Sequence, residues 1–477
     1  MLDPSLNFFP DPVKHIHLMG ACGTGMGALA GMLIDSGYRV TGSDANIYPP
    51  MSDFLAGIGV ALLSGYGPGN LDPEPDLVVV GNVISAGNPE AVSLYDRGLP
   101  YVSFPQAMGH YFLKGKSSIV VSGTHGKTTT SSILATALDS AGLDPGFMIG
   151  GLVQAFGRNF NIGSGDYFVI EGDEYDTAFF DKGPKFLHYQ PQIAIITSIE
   201  FDHADIFDDL DSIKKAFRKL VEIVPTHGCI VACMDDPVVR EIVAHAKCPV
   251  KSYGTGPDQE WSLRNLVVSR SGTRFEVLKN GEPFVEVMTA MPGMHNALNS
   301  LAVIAVLDHI GVSPEKIAQG LKEFQGVKRR QEVRGIAKGV TVIDDFAHHP
   351  TAVEATLAAL KGAYDGDRLI AVFEPRTNSS RRKIFQNAYV DVFGKADMVL
   401  IKEPEPLKNI PESARFSSHQ LVADLVHRHS ANAQYFADTE AILNFLVKVV
   451  EPGDVVAILS NGGFDNIHER LLAMLKE

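Results

Sequence analysis

Short apolar runs alternate with amphipathic, helix-like stretches through much of the chain. These runs are the predicted strands, and they read HIHLMG, DLVVVGN, SSIVVSG, DYFVIEGDE, IAIITS, VTVIDDF, RLIAVFEP, ADMVLIKEP and DVVAILSNGG. Most of them are followed by Gly, Asp, Asn or Ser, which is typical of parallel strands that end at the functional edge of a sheet. The pattern predicts an α/β protein whose strand and helix units form three separate sheets.

A different pattern occupies residues 250–290. The stretch WSLRNLVVSRSGTRFEVLKNGEPFVEV alternates apolar and polar positions and contains the pair Asn280-Gly281. Alternation with a period of two predicts strands with one buried face, and an Asn-Gly pair is typical of a tight hairpin turn. We therefore expect an antiparallel insertion in the α/β framework.

Length and charge narrow the class of protein. A chain of 477 residues is too long for one compact core, and its length predicts about three domains. With 41 basic and 56 acidic residues the net charge is −15. This balance argues against a nucleic-acid partner, since such surfaces depend on bulk positive potential. Small anionic ligands must therefore be bound by local groups and not by the overall charge of the protein.

The expected location is the cytoplasm. The four cysteines, Cys22, Cys229, Cys233 and Cys248, include no CxxC pair and are too sparse for a disulfide framework. The N-terminal stretch MLDPSLNFFPDPVKHIHLMG has prolines and acids where a signal peptide needs a basic and then an apolar region. Since no apolar stretch approaches the ~20 residues of a membrane helix, we expect no membrane partner.

A first glycine-rich turn follows the first predicted strand. In HLMGACGTGMGALAG the turn leads into helical spacing, and the next strand ends at Asp44, about twenty residues on, as in a dinucleotide-binding fold. The glycines fit two registers, one starting at Gly20 and the other at Gly23. Either register would let backbone amides hold a pyrophosphate. A turn without a ligand and a nicotinamide oxidoreductase, with Asp44 on the ribose, stay open.

A second glycine-rich turn, SGTHGKTTT, lies between a predicted strand and a predicted helix. Gly123 and Gly126 allow backbone N–H groups to point at phosphate, Lys127 adds a charge, and Thr128 offers a hydroxyl to Mg²⁺. The loop is shorter than GxxxxGK[ST], because Val121 stands where the first glycine would be. The turn predicts a phosphate-binding loop, and a chance Gly-Lys-Thr turn is the alternative.

Acidic residues follow the next two strands. EGDEYD places Glu171, Asp173, Glu174 and Asp176 at the strand end, and IEFDHAD does the same for Glu200, Asp202 and His203. We expect one acid of the first group to hold a metal ion and the others to form a solvated loop. His203 is either a site residue or a capped structural histidine.

The motifs GTHGKTTT, EGDEYD, EFDHAD, GMHNALN, KRRQE and DDFAHHP occur together in this order. Their order and approximate spacing resemble the Mur ligases, the ATP-dependent amide-forming enzymes of peptidoglycan synthesis, along essentially the whole chain. That family uses the shortened phosphate loop. The resemblance implies a Rossmann-like UDP-binding domain at 1–113, a central P-loop ATPase domain at 114–328 and a Rossmann-like peptide-binding domain at 329–477.

The resemblance also implies substrates. HLMGACGTGMG and DDFAHHPTA resemble the branch of the family that uses UDP-N-acetylmuramate. GSDANIYPPMSDFL and ILSNGGFDNIHERL resemble the member that attaches the murein tripeptide, L-Ala-γ-D-Glu-meso-diaminopimelate, in peptidoglycan recycling. The member that adds L-alanine is the alternative. ATP and Mg²⁺ are the implied cofactors, and an acyl phosphate is the implied intermediate.

Residue roles on the ATP side follow from the matched motifs. The resemblance implies that Lys127 bridges the ATP phosphates, that Thr128 and Glu171 bind one Mg²⁺, and that His203 helps to bind another. Arg330 is expected to reach the transferring phosphate. The other implied ATP-binding residues are Gly123, Thr124, Gly126, Thr129, Asn296, Asn299 and Asp345. For the two asparagines, an ordinary Asn-capped helix start is the alternative.

The resemblance implies that a further set of residues binds the two other substrates. The implied UDP-sugar residues are His17, Gly20, Gly23, Gly25, Ser43, Asp44 and His125. Buried packing is the rival interpretation for His17. Arg376 in FEPRTNSS is a candidate clamp for a peptide carboxylate, since its planar fork pairs bidentately, and a surface arginine is the alternative. Some relatives carry a carbamylated lysine, but no lysine of SIKKAFRKL is assigned that role.

Overall fold

The computed structural model describes residues 2–49, 51–407, 410–429 and 432–476. By its internal contacts the chain divides into two compact units. The first consists of Met1–Ile199, Asp211–Ser252 and Ala305–Val312, and the second of Glu200–Leu210, Tyr253–Ile304 and Ser313–Glu477. Among the described residues no helix combines the length and apolar character needed to span a bilayer. The bounds of the three predicted domains stay a prediction.

The N-terminal sheet of the first unit is parallel, with the strand order β3-β2-β1-β4-β5. Its strands are β1 His15–Met19, β2 Arg39–Asp44, β3 Ala61–Ser64, β4 Leu77–Val80 and β5 Tyr101–Ser103. Its helices are α1 Thr24–Asp35, α2 Met51–Gly57, α3 Pro89–Arg97 and α4 Phe104–Met108, followed by a π-helical turn at Gly109–Leu113. The strand order reverses beside β1, and ligands of open α/β sheets bind at such reversals.

A second sheet of the first unit carries the phosphate loop. Its strands follow the order β13-β12-β6-β9-β7-β8 and are parallel except for the β7–β8 pair. They are β6 Ser117–Ser122, β7 Gly146–Val153, β8 Arg158–Asn161, β9 Tyr167–Gly172, β12 Ile193–Ile196 and β13 Cys229–Cys233. A small antiparallel ladder, β10 Asp176–Ala178 and β11 Asp181–Pro184, adds to the three predicted sheets. The helices are α5 Lys127–Ser140, α6 Leu210–Ile223 and α7 Pro237–Val243.

The predicted antiparallel insertion is confirmed in the second unit. After β14, Val250–Tyr253, the chain forms β15 Trp261–Ser269, β16 Gly272–Lys279 and β17 Glu282–Thr289, each antiparallel to the next. Asn280 and Gly281 have φ values of 52° and 82°, which a tight hairpin turn of the primed type requires. Two helices follow, α8 Met294–His309 and α9 Pro314–Glu323.

The C-terminal sheet of the second unit has the order β18-β19-β23-β20-β21-β22 and is parallel except for β18. The strands are β18 Glu332–Ala337, β19 Val340–Asp345, β20 Leu369–Phe373, β21 Met398–Lys402, β22 Asn432–Phe436 and β23 Val455–Leu459. The helices are α10 Pro350–Ala363, α11 Gln386–Phe393, α12 Ser418–His429, α13 Thr439–Val449 and α14 Ile467–Lys476. Each face of the sheet packs into its own apolar core, which explains the continuous apolar runs.

Candidate active site

The phosphate loop joins β6 to α5 and depends on its two glycines. Gly123 and Gly126 have φ values of 140° and 82°, in the region that favours glycine. A Cβ atom on Gly123 would lie 2.0 Å from the Oγ1 atom of Thr197. The amide of Thr124 donates to the carbonyl of Ser198 at 2.8 Å, and the amide of His125 donates to the Ser198 hydroxyl at 3.1 Å. The end of β12 therefore holds the loop in place.

Lys127 is the first residue of α5, and its ammonium group lies within the loop, where 12% of the side chain stays exposed. Its Nζ atom donates to the carbonyl of Gly123 at 2.5 Å and lies 3.4 Å from the Oε2 atom of Glu174. Burial alone lowers the pKa of Lys127, but the carboxylates of Glu174, Asp173 and Glu171 outweigh burial, so the pKa is raised. Lys127 is thus a permanent cation at neutral pH.

Glu171 and Thr128 meet beside the loop. The hydroxyl of Thr128 donates to Glu171 Oε2 at 3.2 Å, and the amide of Gly150 donates to Glu171 Oε1 at 2.6 Å. The pair forms because β6 and β9 are parallel neighbours in which Val121 is opposite Glu171. Hydroxyl and carboxylate oxygens are the ligands that Mg²⁺ prefers. This pair fits a magnesium ion.

The other acids of EGDEYD have cationic partners. Asp173 Oδ2 accepts from Lys185 Nζ at 2.8 Å and from the Tyr175 hydroxyl at 2.9 Å, and Asp176 pairs with Lys182 at 2.7 Å. Burial raises the pKa of Asp173, but Lys185 and Lys127 outweigh it and lower that pKa to about 2. Lys185 was missed by the sequence analysis, because nothing in the sequence links it to Asp173.

The first glycine-rich turn is held by Asp44 at the end of β2. The Asp44 carboxylate accepts from the amide of Cys22 at 2.9 Å, and the Ser43 carbonyl accepts from the amide of Gly20 at 2.8 Å. Gly20 has a φ of 82°, and the turn leads through Gly23 into α1, which has no side-chain cap. Burial, and then the charge of Asp44, raise the pKa of the Cys22 thiol, which keeps the thiol protonated. Gly25 is the second residue of α1.

His17 and Ser43 belong to a buried network below this turn. The ring nitrogens of His17 lie 2.8 Å from Thr41 Oγ1 and 2.8 Å from Glu90 Oε1, and the Ser43 hydroxyl donates to Glu90 at 2.7 Å. The amide group of Asn70 donates to the other Glu90 oxygen at 2.6 Å. Burial raises the pKa of Glu90, but these hydrogen bonds outweigh it and lower the pKa. The geometry favours buried packing for the His17 side chain. Glu90 was not predicted, because no motif in the sequence links it to His17 or Ser43.

In the second unit the His203 loop, residues 200–205, lies against the DDFAHHP motif. His203 has a φ of 52°, and its amide donates to Asp202 Oδ1 at 2.7 Å. His349 Nε2 lies 3.3 Å from the Phe201 carbonyl. Burial raises the pKa of Asp202, but His203, His348 and His349 outweigh it and lower that pKa to about 2. Two distant sequence motifs thus form one histidine-rich cluster.

The asparagines of GMHNALN lie near the KRRQE motif. Asn296, almost fully buried, donates to the Pro292 carbonyl at 2.8 Å and to Gln331 Oε1 at 3.0 Å, and Asn299 donates to Asn296 at 3.4 Å. Asp345 Oδ2 in turn accepts from the Gln331 amide at 2.7 Å. Burial raises the pKa of Asp345 despite the charge of nearby Arg330. Asp345 therefore positions the KRRQE backbone.

Arg330 and Arg376 lie on loops of the second unit. Arg330 stacks over the Phe346 ring at 4.5 Å, and its neighbours Arg329 and Gln331 have φ values of 61° and 49°. Non-glycine residues in this region of φ are uncommon and cluster at functional sites. Arg376 is exposed, and its side chain lies against Gly462. A Cβ atom on Gly462 would lie 2.2 Å from Arg376 Nη1.

The structure divides the predicted site residues between the two units. The first contains the predicted phosphate and UDP-sugar residues: His17, Gly20, Gly23, Gly25, Ser43, Asp44, Gly123, Thr124, His125, Gly126, Lys127, Thr128, Thr129 and Glu171. The second contains His203, Asn296, Asn299, Arg330, Asp345 and Arg376. Their assignments to ligands stay predictions.

Three family models match consecutive segments of the chain. They describe the Mur ligase family catalytic domain at residues 15–114, the Mur ligase middle domain at 121–307, and the Mur ligase glutamate ligase domain at 329–462. The matched segments include every predicted site residue.

Relatives of known name cover nearly the whole chain. UDP-N-acetylmuramate–L-alanyl-γ-D-glutamyl-meso-2,6-diaminoheptandioate ligase from Escherichia coli is 42% identical and covers 96% of this chain and 97% of its own length. UDP-N-acetylmuramate–L-alanine ligase from Syntrophus aciditrophicus is 34% identical, with 98% and 94% covered. The crystal structure of a murein peptide ligase from Psychrobacter arcticus has a TM-score of 0.71 and 36% identity, with 97% and 99% covered.

Proposed function

The chain belongs to the Mur ligase family, and from this membership we propose that it joins UDP-N-acetylmuramate to the tripeptide L-Ala-γ-D-Glu-meso-diaminopimelate. It is an ATP-dependent, ADP-forming ligase. The choice of the tripeptide depends on the 42% identity to the E. coli ligase over nearly the full length of both chains. The relative named as an L-alanine ligase, at 34% identity, supports the alternative amine.

The chemistry requires activation of a carboxylate. The lactyl carboxylate of muramate does not react with an amine at neutral pH, because oxide would have to leave. Transfer of the terminal phosphoryl group of ATP converts the carboxylate to an acyl phosphate. The free amine of the peptide then attacks the carbonyl carbon, and inorganic phosphate leaves from the tetrahedral intermediate. Since two anions meet in the first step, cations are needed more than a protein nucleophile.

The residues of the phosphate loop support this chemistry. Lys127, whose raised pKa keeps it charged, would bind the phosphates, and loop amides near Gly123 and Gly126 would donate to them. Thr128 and Glu171 would hold Mg²⁺, which neutralises charge on phosphoryl oxygens when bound. In the second unit we assign the same electrostatic role to Arg330 and a metal-binding role to His203.

The first glycine-rich turn would bind the UDP pyrophosphate. Asp44 holds the turn by its hydrogen bond to the Cys22 amide, and the uncapped start of α1 provides N–H groups for an anion. We assign Asp44 this positioning role, which differs from the ribose contact of an oxidoreductase. The three matched ligase segments leave the oxidoreductase alternative without support. We further propose that the enzyme is cytoplasmic and has no nucleic-acid partner. The net charge of −15 supports the second point, because nucleic-acid surfaces depend on bulk positive potential.

The test is phosphate release from ATP and Mg²⁺ in the presence of UDP-N-acetylmuramate, with either the tripeptide or L-alanine as the amine. We expect turnover with the tripeptide, a product whose mass equals that of the joined substrates, and little turnover with L-alanine. Turnover with L-alanine alone would support the alternative ligase. Absence of turnover with both amines would contradict the proposed function.

A further inference from the structure

We propose that residues 173–188, called the bridging hairpin, position the phosphate loop relative to the first glycine-rich turn for phosphoryl transfer. The hairpin consists of β10, β11 and a 3₁₀ turn at Lys185–His188. It lies in the first unit together with both glycine-rich turns. The inference rests on the proposed function and extends it, since Phe180 and Asp181 were assigned no role by their sequence.

The base of the bridging hairpin is fixed beside the phosphate loop. Lys127 Nζ lies 3.4 Å from the Oε2 atom of Glu174, which is almost fully buried. The amide of Lys185 donates to the Asp173 carbonyl at 3.1 Å, and the side chains of these two residues pair at 2.8 Å. The two ends of the hairpin are therefore held together where Glu174 meets the lysine to which we assign phosphate binding.

The tip of the bridging hairpin packs against the core of the N-terminal sheet. Phe179 and Phe180 are partly buried against an apolar cluster that includes Ile84 and Tyr101. The rings of Phe180 and Tyr101 meet edge to face, with their centroids 4.8 Å apart. A Cβ atom on Gly20 would lie 3.9 Å from the Cδ1 atom of Ile84. The cluster that receives the tip therefore adjoins the first glycine-rich turn.

A carboxylate at the tip adds polar contacts to this packing. Asp181 Oδ2 accepts from the Ser103 hydroxyl at 2.8 Å and lies 2.8 Å from His188 Nε2. Burial raises the pKa of Asp181, but the hydrogen bonds from His188 and Ser103 outweigh burial and lower the pKa. A Cβ atom on Gly109 would lie 2.5 Å from the His188 carbonyl oxygen, so the hairpin also packs closely on the segment after α4.

The bridging hairpin is braced between its base and its tip. β10 and β11 form an antiparallel ladder, and the Thr177 hydroxyl donates to the Gly183 carbonyl at 2.8 Å. On the surface, Lys182 pairs with Asp176 at 2.7 Å. Strands hold the groups attached to them more precisely than loops do. A braced ladder can therefore fix the distance between the two structures that it contacts.

Phosphoryl transfer depends on that distance. A lactyl carboxylate oxygen forms a bond to the terminal phosphorus of ATP while the bond from this phosphorus to the ADP oxygen breaks, and ADP leaves. ATP would be bound by the phosphate loop and the sugar nucleotide by the first glycine-rich turn, on two different sheets. A misplacement of about 1 Å between reacting groups can slow a reaction about 100-fold. The bridging hairpin connects the two sheets and would set this placement.

The first experiment measures the rate of a single turnover of ADP formation from ATP, Mg²⁺ and UDP-N-acetylmuramate in Phe180→Ala and Asp181→Ala. We expect the rate per folded enzyme to fall at least about tenfold in both variants. The dissociation constants of UDP-N-acetylmuramate and of a non-hydrolysable ATP analogue should not change, because neither variant alters a residue assigned to a ligand. Asp181→Asn keeps an acceptor for Ser103 and should recover part of the rate. Lys182→Met, at an exposed position of the same hairpin, is the matched control.

The second experiment identifies the affected step by adding the tripeptide after the first equivalent of ADP has formed. Attack of the peptide amine on the acyl phosphate does not depend on the placement of the terminal phosphoryl group of ATP. The rate of amide formation should therefore be the same in the variants and in the unmodified enzyme. A purely structural role would lower the melting temperature and leave the transfer rate per folded enzyme unchanged.

Several outcomes would overturn the inference. An unchanged transfer rate per folded enzyme in both Phe180→Ala and Asp181→Ala would do so, as would equal slowing of transfer and of amide formation. A loss of rate that disappears at saturating substrate would show that the hairpin acts on affinity instead. If thermal melting shows that Phe180→Ala does not fold, Asp181→Ala alone gives the answer. Failure of the unmodified enzyme to form ADP with UDP-N-acetylmuramate, with or without the tripeptide, would overturn the proposed function and this inference together. Unaffected variants of an active enzyme would overturn the inference alone.

Discussion

Lys127 has structural contacts in addition to the phosphate-binding role that we propose for it. Its ammonium group donates to the Gly123 carbonyl and is the cationic partner of buried Glu174. Removing one member of a buried ion pair is more destabilising than replacing both, because the remaining charge is left without compensation. Loss of activity in a Lys127 variant must therefore be separated from loss of stability.

We expect Lys127→Met to lower kcat by at least about 100-fold, because the variant removes the positive charge that we propose binds the ATP phosphates. The variant should also unfold at a lower temperature. The double variant Lys127→Met/Glu174→Gln should recover most of the melting temperature but none of the activity, measured as phosphate release. Recovery of activity in the double variant would show that Lys127 acts only through folding.

The ion pair of Asp173 and Lys185 predicts a change in acid stability. The pKa of Asp173 is lowered to about 2, so this carboxylate stabilises the fold above its unfolded pKa of about 3.9. That contribution disappears as the pH falls through the folded value. In Lys185→Met the pKa of Asp173 should rise, because only the charge of Lys127 and the hydrogen bond from Tyr175 would then oppose the effect of burial. We expect about 2 kcal/mol less stability at neutral pH and acid unfolding that begins at higher pH.

The measurement is the free energy of unfolding in urea between about pH 2 and pH 7. Lys182→Met is the matched control. Lys182 pairs with Asp176 at 2.7 Å, close to the 2.8 Å of the pair of Lys185 and Asp173, but on the surface. Exposed pairs contribute little, so the control should follow the unmodified protein. If the free energy of unfolding depended on pH in the same way in both variants, the role of Lys185 would be contradicted.

Sequence reasoning succeeded for residues whose neighbours follow from strand order. Glu171 was expected at the end of a strand on the functional edge of a sheet, and the structure brings it to Thr128. Glu90 and Lys185 were missed because their partners depend on side-chain packing across the fold. For His17, the same packing favours the structural interpretation that the sequence had left open.

Helices and strands were predictable where the spacing of their apolar residues follows from burial. In β20, Leu369, Ala371 and Phe373 pack into one core of the C-terminal sheet, and Ile370 and Val372 pack into the other. Burial on both faces produces the apolar run from which the strand was predicted. The ladder of β10 and β11 has only three and four residues in its strands and no such pattern, so it was not predicted.

At the scale of elements, α1 packs against β8 through a glycine. A Cβ atom on Gly31 would lie 2.3 Å from the Phe160 ring, whereas one on Gly27 would meet the flexible end of Met51 at 2.5 Å. We expect Gly31→Ala to lower stability by about 1–3 kcal/mol, because the rigid ring must move. Gly27→Ala is the control in the same helix and should be much milder.

Thermal melting of both variants and of Gly31→Ala/Phe160→Leu measures this contact. The double variant should regain stability relative to Gly31→Ala, since the smaller side chain leaves room for the new methyl group. Equal melting temperatures for Gly31→Ala and Gly27→Ala would show that the ring moves freely and that the contact contributes little to the packing of α1.

At the scale of the whole molecule, the proposed chemistry predicts that ATP consumption depends on both other substrates. An acyl phosphate is lost to water unless the protein excludes water from it. With ATP and UDP-N-acetylmuramate alone, we therefore expect about one equivalent of ADP per enzyme, followed by a stop, as for a trapped intermediate. Addition of the tripeptide should restore steady turnover. Borohydride added before the peptide should reduce the acyl phosphate to an alcohol that mass spectrometry can detect.

Lys127→Met is the control for this experiment, because it should give neither the first equivalent of ADP nor the alcohol. Continuous ADP formation without an amine, at the rate of the full reaction, would mean that water reaches the acyl phosphate freely. The enzyme would then not protect its intermediate, and dependence on the amine could not come from exclusion of water. A single equivalent of ADP with a recovered alcohol would instead place the peptide after phosphoryl transfer, which is the order that an attack by its amine requires.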